Sequence, residues 1–374
     1  MVAYFTIAFI AVLLALIPTN KKFGLNCAFL VITIFLAIRY KWGNDYVAYM
    51  EMYQDFNSAN FDLFDIEKSG ALRGGKEYGW VILNRLFGTL HLGFFGMIIA
   101  LTIFENWVIR RIIIRFAEPK YYWVAVTIYV LSTSFLIDAS MMRQYLCICL
   151  YLLVVEIMIL KKTRGYLFIS IGLIFLGTTF HLSNIAMLIS LPIFYIHFKP
   201  KGKSYIWMAG IGITIFLWNI FSYNFLDSTI INLMMMDESL RGYAAYMHEE
   251  TNGADSGLGV IFRYSKLLVL LWLIPKITEK HKQTFFLLIV FSYFFEAVSM
   301  VVPTAGRFIG YFAIMNMLLW SYIFQMARRH PWLYVLIFGQ ILIMHRELVG
   351  FFASPTWHDH FIEFHTIYEV SQWM

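Results

Sequence analysis

Four arginines sit where a membrane helix least tolerates charge. Arg39 follows the apolar run 24–38, Arg143 enters MMRQYLCICLYLLVV, Arg263 lies early in the run 259–274, and Arg307 begins a run directly after VVPTAG. An ionised Arg in apolar surroundings costs roughly 2.5–3.5 kcal/mol unless it snorkels to water or finds a partner. All four lie at the same ends of their runs, and none is similarly embedded at the opposite ends. A guanidinium offers five N–H donors in a planar fork that fits phosphate oxygens. The pattern therefore suits an anion held at headgroup depth, against the plainer alternative of snorkelling side chains.

Groups able to move a proton share that end of the chain's apolar runs. His181 sits in TTFHLSNIAMLISLP, Asp45 in RYKWGNDYVAYM, and Glu77 in EYGW. Glu296, in FSYFFEAVSMVVP, falls about two helical turns below the surface. An intramembrane carboxylate is protonated, paired with Arg, or facing water. Imidazole is the side chain that titrates nearest neutrality, which makes His181 the first choice of base, with Asp45 or Glu77 behind it. A hydrogen-bonded turn histidine is the ordinary explanation of the same residue. Glu105, in the inner half of its run, is expected to pair with Arg110 or Arg111. Trp42, Tyr46 and Tyr49 are either interfacial belt residues or, with the Gly43-Asn44-Asp45 turn, the start of an interfacial helix that holds Arg39 and Asp45 near each other.

These residues need a scaffold, and composition names its class. Of 374 residues 60% are hydrophobic and only 14% charged, against about 25% charged in a soluble domain. Spans of about 20 apolar residues are expected near 2–18, 24–38, 92–109, 120–137, 141–160, 166–180, 183–198, 204–222, 259–274, 284–302, 307–326 and 331–349. The expected fold is an all-α integral membrane protein of about twelve transmembrane helices, one polytopic domain over 1–374. The first run lacks a basic leader segment and does not read as a cleavable signal peptide.

Alternate connections at 19–22, 110–120, 161–165, 199–203, 275–282 and 326–330 carry 17 of the 29 Lys and Arg. The positive-inside rule assigns these six to the cytoplasm, so both termini are expected on the extracytoplasmic side. The net charge of +6 is thus a topology signal, with no nucleic-acid partner implied. The opposite face then holds two longer loops with interfacial helices, 39–91 and 223–258, the turns near His181 and at 303–307, and an amphipathic tail, 350–374.

That tail, PTWHDHFIEFHTIYE, carries His358, Asp359, His360, Glu363 and His365. Its spacing reads as a surface-lying segment, with metal binding as the alternative. Cys27, Cys147 and Cys149 all lie in apolar runs and are expected to be free, buried thiols.

Taken in order, the motifs resemble the EpsG-type, Wzy-like polysaccharide polymerases. They are Arg39-x-x-x-Gly43-x-Asp45-Tyr46-x-x-Tyr49, Glu77-Tyr78-Gly79-Trp80, Arg143-Gln144, Phe180-His181-x-Ser183 with Pro192 beyond, and Arg307 with Tyr311. Asn44 stands where a small hydroxyl residue is more usual, and 223–258 matches no pattern of the family.

The resemblance implies a multi-pass enzyme of the bacterial inner membrane with its active site on the extracytoplasmic face. Such an enzyme joins undecaprenyl-diphosphate-linked oligosaccharide repeat units into exopolysaccharide, capsule or O-antigen. Its partners would be the lipid-linked donor and acceptor, membrane lipids, a flippase and a chain-length regulator, without cofactor or metal. In that reading Arg39, Arg143, Arg263, Arg307, Trp42, Tyr46, Tyr49, Gln144 and Tyr311 bind substrate. His181, Asp45, Glu77 and Glu296 supply the acid–base chemistry. A polysaccharide ligase, a membrane O-acyltransferase and a lipid-linked oligosaccharide flippase are the rival functions. The acyltransferase would need a polar cluster on the cytoplasmic side, and the flippase charges along a path through the bundle. The ligase shares the donor chemistry and differs in its acceptor.

Overall fold

The computed structural model describes residues 1–17, 21–58, 77–160, 164–221, 258–299 and 306–370. Nearly all of the expected loop 223–258, residues 59–76 of the first loop and most of the turn 303–307 lie outside the described residues. The chain divides into two compact units, Met1–Met187 with Trp320–Met374, and Leu188–Leu319.

In the first unit α1 (Val2–Leu16) packs on α2 (Lys21–Ala37). Ala8, Ala11 and Ala15 form a buried stripe on α1. A Cβ on Gly24 of α2 would overlap the Leu14 carbonyl oxygen and stand 3.2 Å from Ile17 Cβ. Small residues at such a crossing let two backbones approach closely, the usual device of helices packing in lipid. After β1 (Arg39–Tyr40) come α3 (Tyr46–Phe56), α4 (Tyr78–Thr89) and α5 (Gly93–Phe116). The run expected at 120–137 is broken. A short 3-10 turn leads into α6 (Tyr122–Val130), and α7 (Thr133–Ser140) restarts where Ser132 Oγ accepts the Phe135 N–H. That N-cap satisfies a donor the new helix would otherwise leave unpaired.

α8 (Met142–Leu160) is buried over most of its circumference, as expected of a helix apolar on every face. α9 (Arg164–Phe180) packs beside it and continues into a 3-10 segment, Leu182–Tyr195, that contains Pro192. At the far ends of α5 and α8, Arg111 Nε and Arg115 Nε reach the buried Glu156 at 2.7 and 3.2 Å. Arg110 Nε donates to Asn26 Oδ1 at 2.7 Å. Glu105 therefore does not take Arg111 as expected. Two helical turns nearer its own C-terminus, α5 presents its cations to Glu156, while Glu105 lies inside the bundle with Arg39 as its charged neighbour.

The second unit is built from α10 (Gly202–Phe221), α11 (Leu258–Leu273), α12 (Lys280–Ser299) and α13 (Gly306–Ala313). The Gln283 amide ties it together, donating to the carbonyls of Phe198, Ile274 and Ile277 and accepting from Phe198 N–H. Trp218 Nε1 donates to the Phe294 carbonyl at 3.1 Å. The chain then continues through α14 (Asn316–Ala327), bent 47° from α13, and α15 (Leu333–Ala353), α16 (Pro355–Phe361), β2 (His365–Thr366) and α17 (Ile367–Val370).

Each of the twelve apolar runs therefore falls on a helix or a broken helix. Among the described residues α8 and α15 are individually long and apolar enough to cross a membrane, and the bent pair α13–α14 forms a third candidate. Val2–Leu16, Gly165–Phe180 and Leu182–Tyr195 are apolar but shorter. Among the described residues, the departure from an all-helical chain is the antiparallel pairing of β1 with β2, Arg39 facing Thr366 and Tyr40 facing His365. It draws the tail onto the segment 38–43.

Candidate active site

Three helix ends of the first unit meet at one carboxylate. Glu77 is the residue before α4, Arg143 is the second residue of α8, and His181 is the first residue past α9. Glu77 Oε1 lies 2.7 Å from His181 Nδ1 and accepts the Leu182 backbone N–H at 3.2 Å. Glu77 Oε2 is held by Arg143. Gly79 makes the approach possible, because a Cβ there would overlap Thr179 Oγ1, two residues before the histidine. His181 itself is fixed by its own backbone, N–H to the Gly177 carbonyl and C=O to the Asn184 N–H.

The electrostatics follow from that geometry. Burial alone would raise the Glu77 carboxyl, but the hydrogen bond to His181, the Arg143 charge and the Leu182 N–H outweigh it and hold it below the usual carboxylate range. Its place ahead of α4 adds the positive end of a helix dipole. An ionised Glu77 fixes the tautomer of a neutral His181, with Nδ1–H donated to the carboxylate and Nε2 left as acceptor. His181 is 8% exposed, whereas Arg143 keeps about a quarter of its side chain accessible. The Arg143 guanidinium lies over the Tyr49 ring, 5.5 Å from its centroid, and Tyr49 packs edge-on against Trp80 at 5.4 Å. The buried Gln144 follows Arg143 on α8.

The segment RYKWGND is locked beside these groups. Gly43 adopts φ +110°, a conformation that side chains rarely take, and its Cα faces Ser140 at the end of α7, where a Cβ would come within 3.0 Å. Ser140 Oγ accepts the Asp45 N–H at 3.2 Å and donates to Asn44 Oδ1. Tyr46 Oη donates to the Arg39 carbonyl at 3.1 Å. Trp42 is 1% exposed, enclosed by Phe35, Phe361 and Phe364, with Nε1 donating to the Phe361 carbonyl. Trp42, Tyr46 and Tyr49 thus spend their ring faces on neighbours in this structure. Arg39 points inward. The residue is 3% exposed, and its guanidinium donates to the Leu36 carbonyl and to Thr102 Oγ1.

The remaining expected residues lie in the second unit. Arg263 Nε is 3.8 Å from Glu296 Oε2, and Tyr293 Oη donates to the Arg263 carbonyl at 3.3 Å. Arg307, second in α13, is exposed, while Tyr311 on the same helix is fully buried. The structure thus brings Glu77, His181, Arg143 and Tyr49 together in one unit, and Arg263 with Glu296 in the other.

The family model of EpsG matches residues 22–360. The chain belongs to the EpsG family. No curated protein and no solved structure matches it. Membership in the EpsG family points to a role in exopolysaccharide biosynthesis, and with its apolar helices marks the chain as a membrane protein.

Within this EpsG-family site, sequence reading missed three contributors. Ser140 carries no motif signal beyond following Asp138 and Ala139, yet its hydroxyl holds the Gly43–Asp45 turn. Thr102 receives Arg39 from α5, a contact 63 residues distant in sequence. The tail is the third, with Gly43 N–H donating to the His360 carbonyl at 3.0 Å, Ile367 N–H to Ile38, and Phe364 stacking on Phe35 at 4.3 Å. His358 Nδ1 bonds the Phe352 carbonyl, and His365 bonds Glu369 and Glu363. No group of three or more metal-ligating side chains converges among the described residues.

Proposed function

We propose that this EpsG-family chain is a glycosyltransferase that joins lipid-diphosphate-linked oligosaccharide repeat units at the extracytoplasmic face of the bacterial inner membrane. One observation carries the reading: a partly accessible Arg143 and a carboxylate-oriented His181 share Glu77 at the ends of three helices. In this scheme His181 Nε2 accepts the proton of an acceptor hydroxyl. That oxygen forms the new bond to the anomeric carbon of the donor as the carbon–oxygen bond to the diphosphate breaks. The bonding pair leaves on the diphosphate, where an Arg fork offsets the new charge, an effect that strengthens in a partly dry site. Glu77 acts through the other two groups, fixing the imidazole tautomer and the guanidinium.

Twelve spans with both termini outside accompany this reading. They place the six basic connections in the cytoplasm and the ends bearing Glu77, Arg143 and His181 at the outer headgroup level. Purified protein in nanodiscs, given a lipid-diphosphate-linked repeat unit, tests it on a gel. A product ladder that disappears in His181→Ala and Arg143→Ala supports the proposal. A single shifted product would instead indicate a ligase, and lipid movement without covalent product a flippase.

A further inference from the structure

Arg39, expected from the sequence to bind substrate, lies inside the first unit instead, and its burial needs a physical account. A charged side chain is tolerated away from water when its donors are paired. Arg39 Nη1 donates to the Leu36 carbonyl and to Thr102 Oγ1, but Nε is buried without a partner among the described residues. Thr102 belongs to a polar face of α5. Glu105 and Asn106 follow it at i+3 and i+4, the positions that share a helix face, and all three are at most 4% exposed. Glu105 is within electrostatic range of Arg39, yet no hydrogen bond or ion pair joins the two. Glu105 Oε1 is likewise buried and unpartnered among the described residues.

Asn106 completes the group. Its Nδ2 donates to the Thr102 carbonyl at 2.9 Å. A carbonyl only accepts, so this bond fixes the orientation of the amide and leaves Oδ1 as an acceptor. That atom too is buried without a partner among the described residues. One N–H donor and two oxygens therefore gather about Thr102, which Arg39 and Asn106 both bind. A metal cation would suit the oxygens and meet the N–H head-on; an anion would suit the N–H and be repelled by the oxygens. Water accepts one hydrogen bond here and donates two, and about three is the usual number for a buried water. Protonation of Glu105 preserves the match, because a carboxyl O–H would donate to the second lone pair of the same water.

We infer that Arg39 Nε, Glu105 Oε1 and Asn106 Oδ1 share one bound water, and that this buried site holds the segment 39–46 in the position the reaction needs. Arg39 links the two ends of that statement. Its carbonyl accepts Tyr46 Oη at 3.1 Å, and one turn further along α3 the Tyr49 ring lies beneath the Arg143 guanidinium. Glu105 and Asn106 touch no substrate in this scheme and act as positioning residues. The positioning role rests on the proposed function, whereas the water does not.

A density map of the full chain in nanodiscs, at a resolution that shows ordered water, tests the site directly. One peak within hydrogen-bond distance of all three atoms is the expected result. In infrared spectra the same water should give a narrow O–H stretching band that moves in heavy-oxygen water, persists in Glu105→Gln and is missing from Glu105→Leu. Product formation per folded molecule should follow the band. It should stay near the parent's in Glu105→Gln and fall by about 100-fold in Glu105→Leu, the cost of a small misplacement arising far from the chemistry. Asn106→Leu removes a different acceptor and should lose both band and activity. The map and the isotope shift need only the parent protein, so they decide the matter even where a variant fails to fold.

Direct contact between Arg39 and Glu105 in the map, no peak among the three atoms, or a band unchanged in Glu105→Leu and Asn106→Leu would overturn the water site. Activity lost in Glu105→Gln with the band retained would overturn the positioning role, since the carboxyl group and not the water would then be what matters. A parent that shows peak and band but polymerises nothing would remove the polymerase reading and leave the water site standing.

Discussion

At the scale of single residues, Glu77 decides more than its exposure suggests. It accepts from His181, Arg143 and the Leu182 N–H at once, so Glu77→Gln should disorder two reactive groups together. Polymer formation should fall by about 10⁴-fold, the loss seen when the acid that orients a catalytic histidine is replaced by its amide. Steady-state gel assays read this directly. Arg143→Lys keeps the charge but loses the fork, and should recover little of the activity lost in Arg143→Ala.

The pH dependence of Glu77 has a definite sign. Its carboxyl is depressed in the folded protein, so its stabilising contribution is complete above the ordinary carboxylate value of 4.5 and is lost as pH falls through the depressed folded value. The difference in melting temperature between the parent and Glu77→Gln should therefore be flat from pH 8 to 5 and shrink only in stronger acid. A difference that fades already between pH 7 and 6 would mean that Glu77 is not held ionised by these partners.

At the scale of elements, close approach and a folded-back tail set the site. Gly79 lets α4 meet α9 where Thr179 leads into His181. Gly79→Val should separate the two helices, destabilise the protein by about 1–3 kcal/mol as overpacking does, and reduce activity per folded molecule. The clamp at the opposite ends of α5 and α8 should behave asymmetrically. Arg111 and Arg115 are about half exposed, while Glu156 is buried. Glu156→Gln leaves two cations that water can reach and should lower stability by about 1 kcal/mol or less. Replacing both arginines with Ala strands a buried carboxylate and should cost about 3–5 kcal/mol. Thermal unfolding in detergent distinguishes the two, and neither change should alter the activity of the molecules that remain folded.

The tail matters at this scale as well. Residues 360–367 hydrogen-bond the backbone of 38–43 and enclose Trp42, which in turn abuts the turn seated on Ser140. Truncation after Ser354 should expose Trp42, seen as a red shift and increased quenching of its fluorescence in a variant whose other tryptophans are replaced by Phe.

For the whole molecule, the proposed orientation makes a prediction of its own. The proposed topology is checked with a version in which Cys27, Cys147 and Cys149 are serine and single cysteines are introduced one at a time. Cysteines at Lys201 and Arg329 should be shielded from an impermeant maleimide in intact cells, and one at Asp359 should react. Reaction of the basic connections from outside would invert the topology and remove the site from the extracytoplasmic face.

The sequence by itself determined the apolar, helical class, the approximate position of the apolar runs, and the motifs behind the family resemblance. Those properties depend on local composition and on periodicity, which a linear chain displays directly. It also singled out Arg143, Glu77 and His181, since charged residues beside apolar runs are conspicuous. Tertiary structure decided their contacts. Glu77 became the shared partner of His181 and Arg143 through contacts 104 and 66 residues apart, and Arg39 turned inward to Thr102. Trp42 closed against a tail more than 300 residues away. Local pattern carries no record of which helix ends will meet. Pairings of that range are fixed only when packed helices and buried hydrogen bonds select one arrangement among many that composition allows.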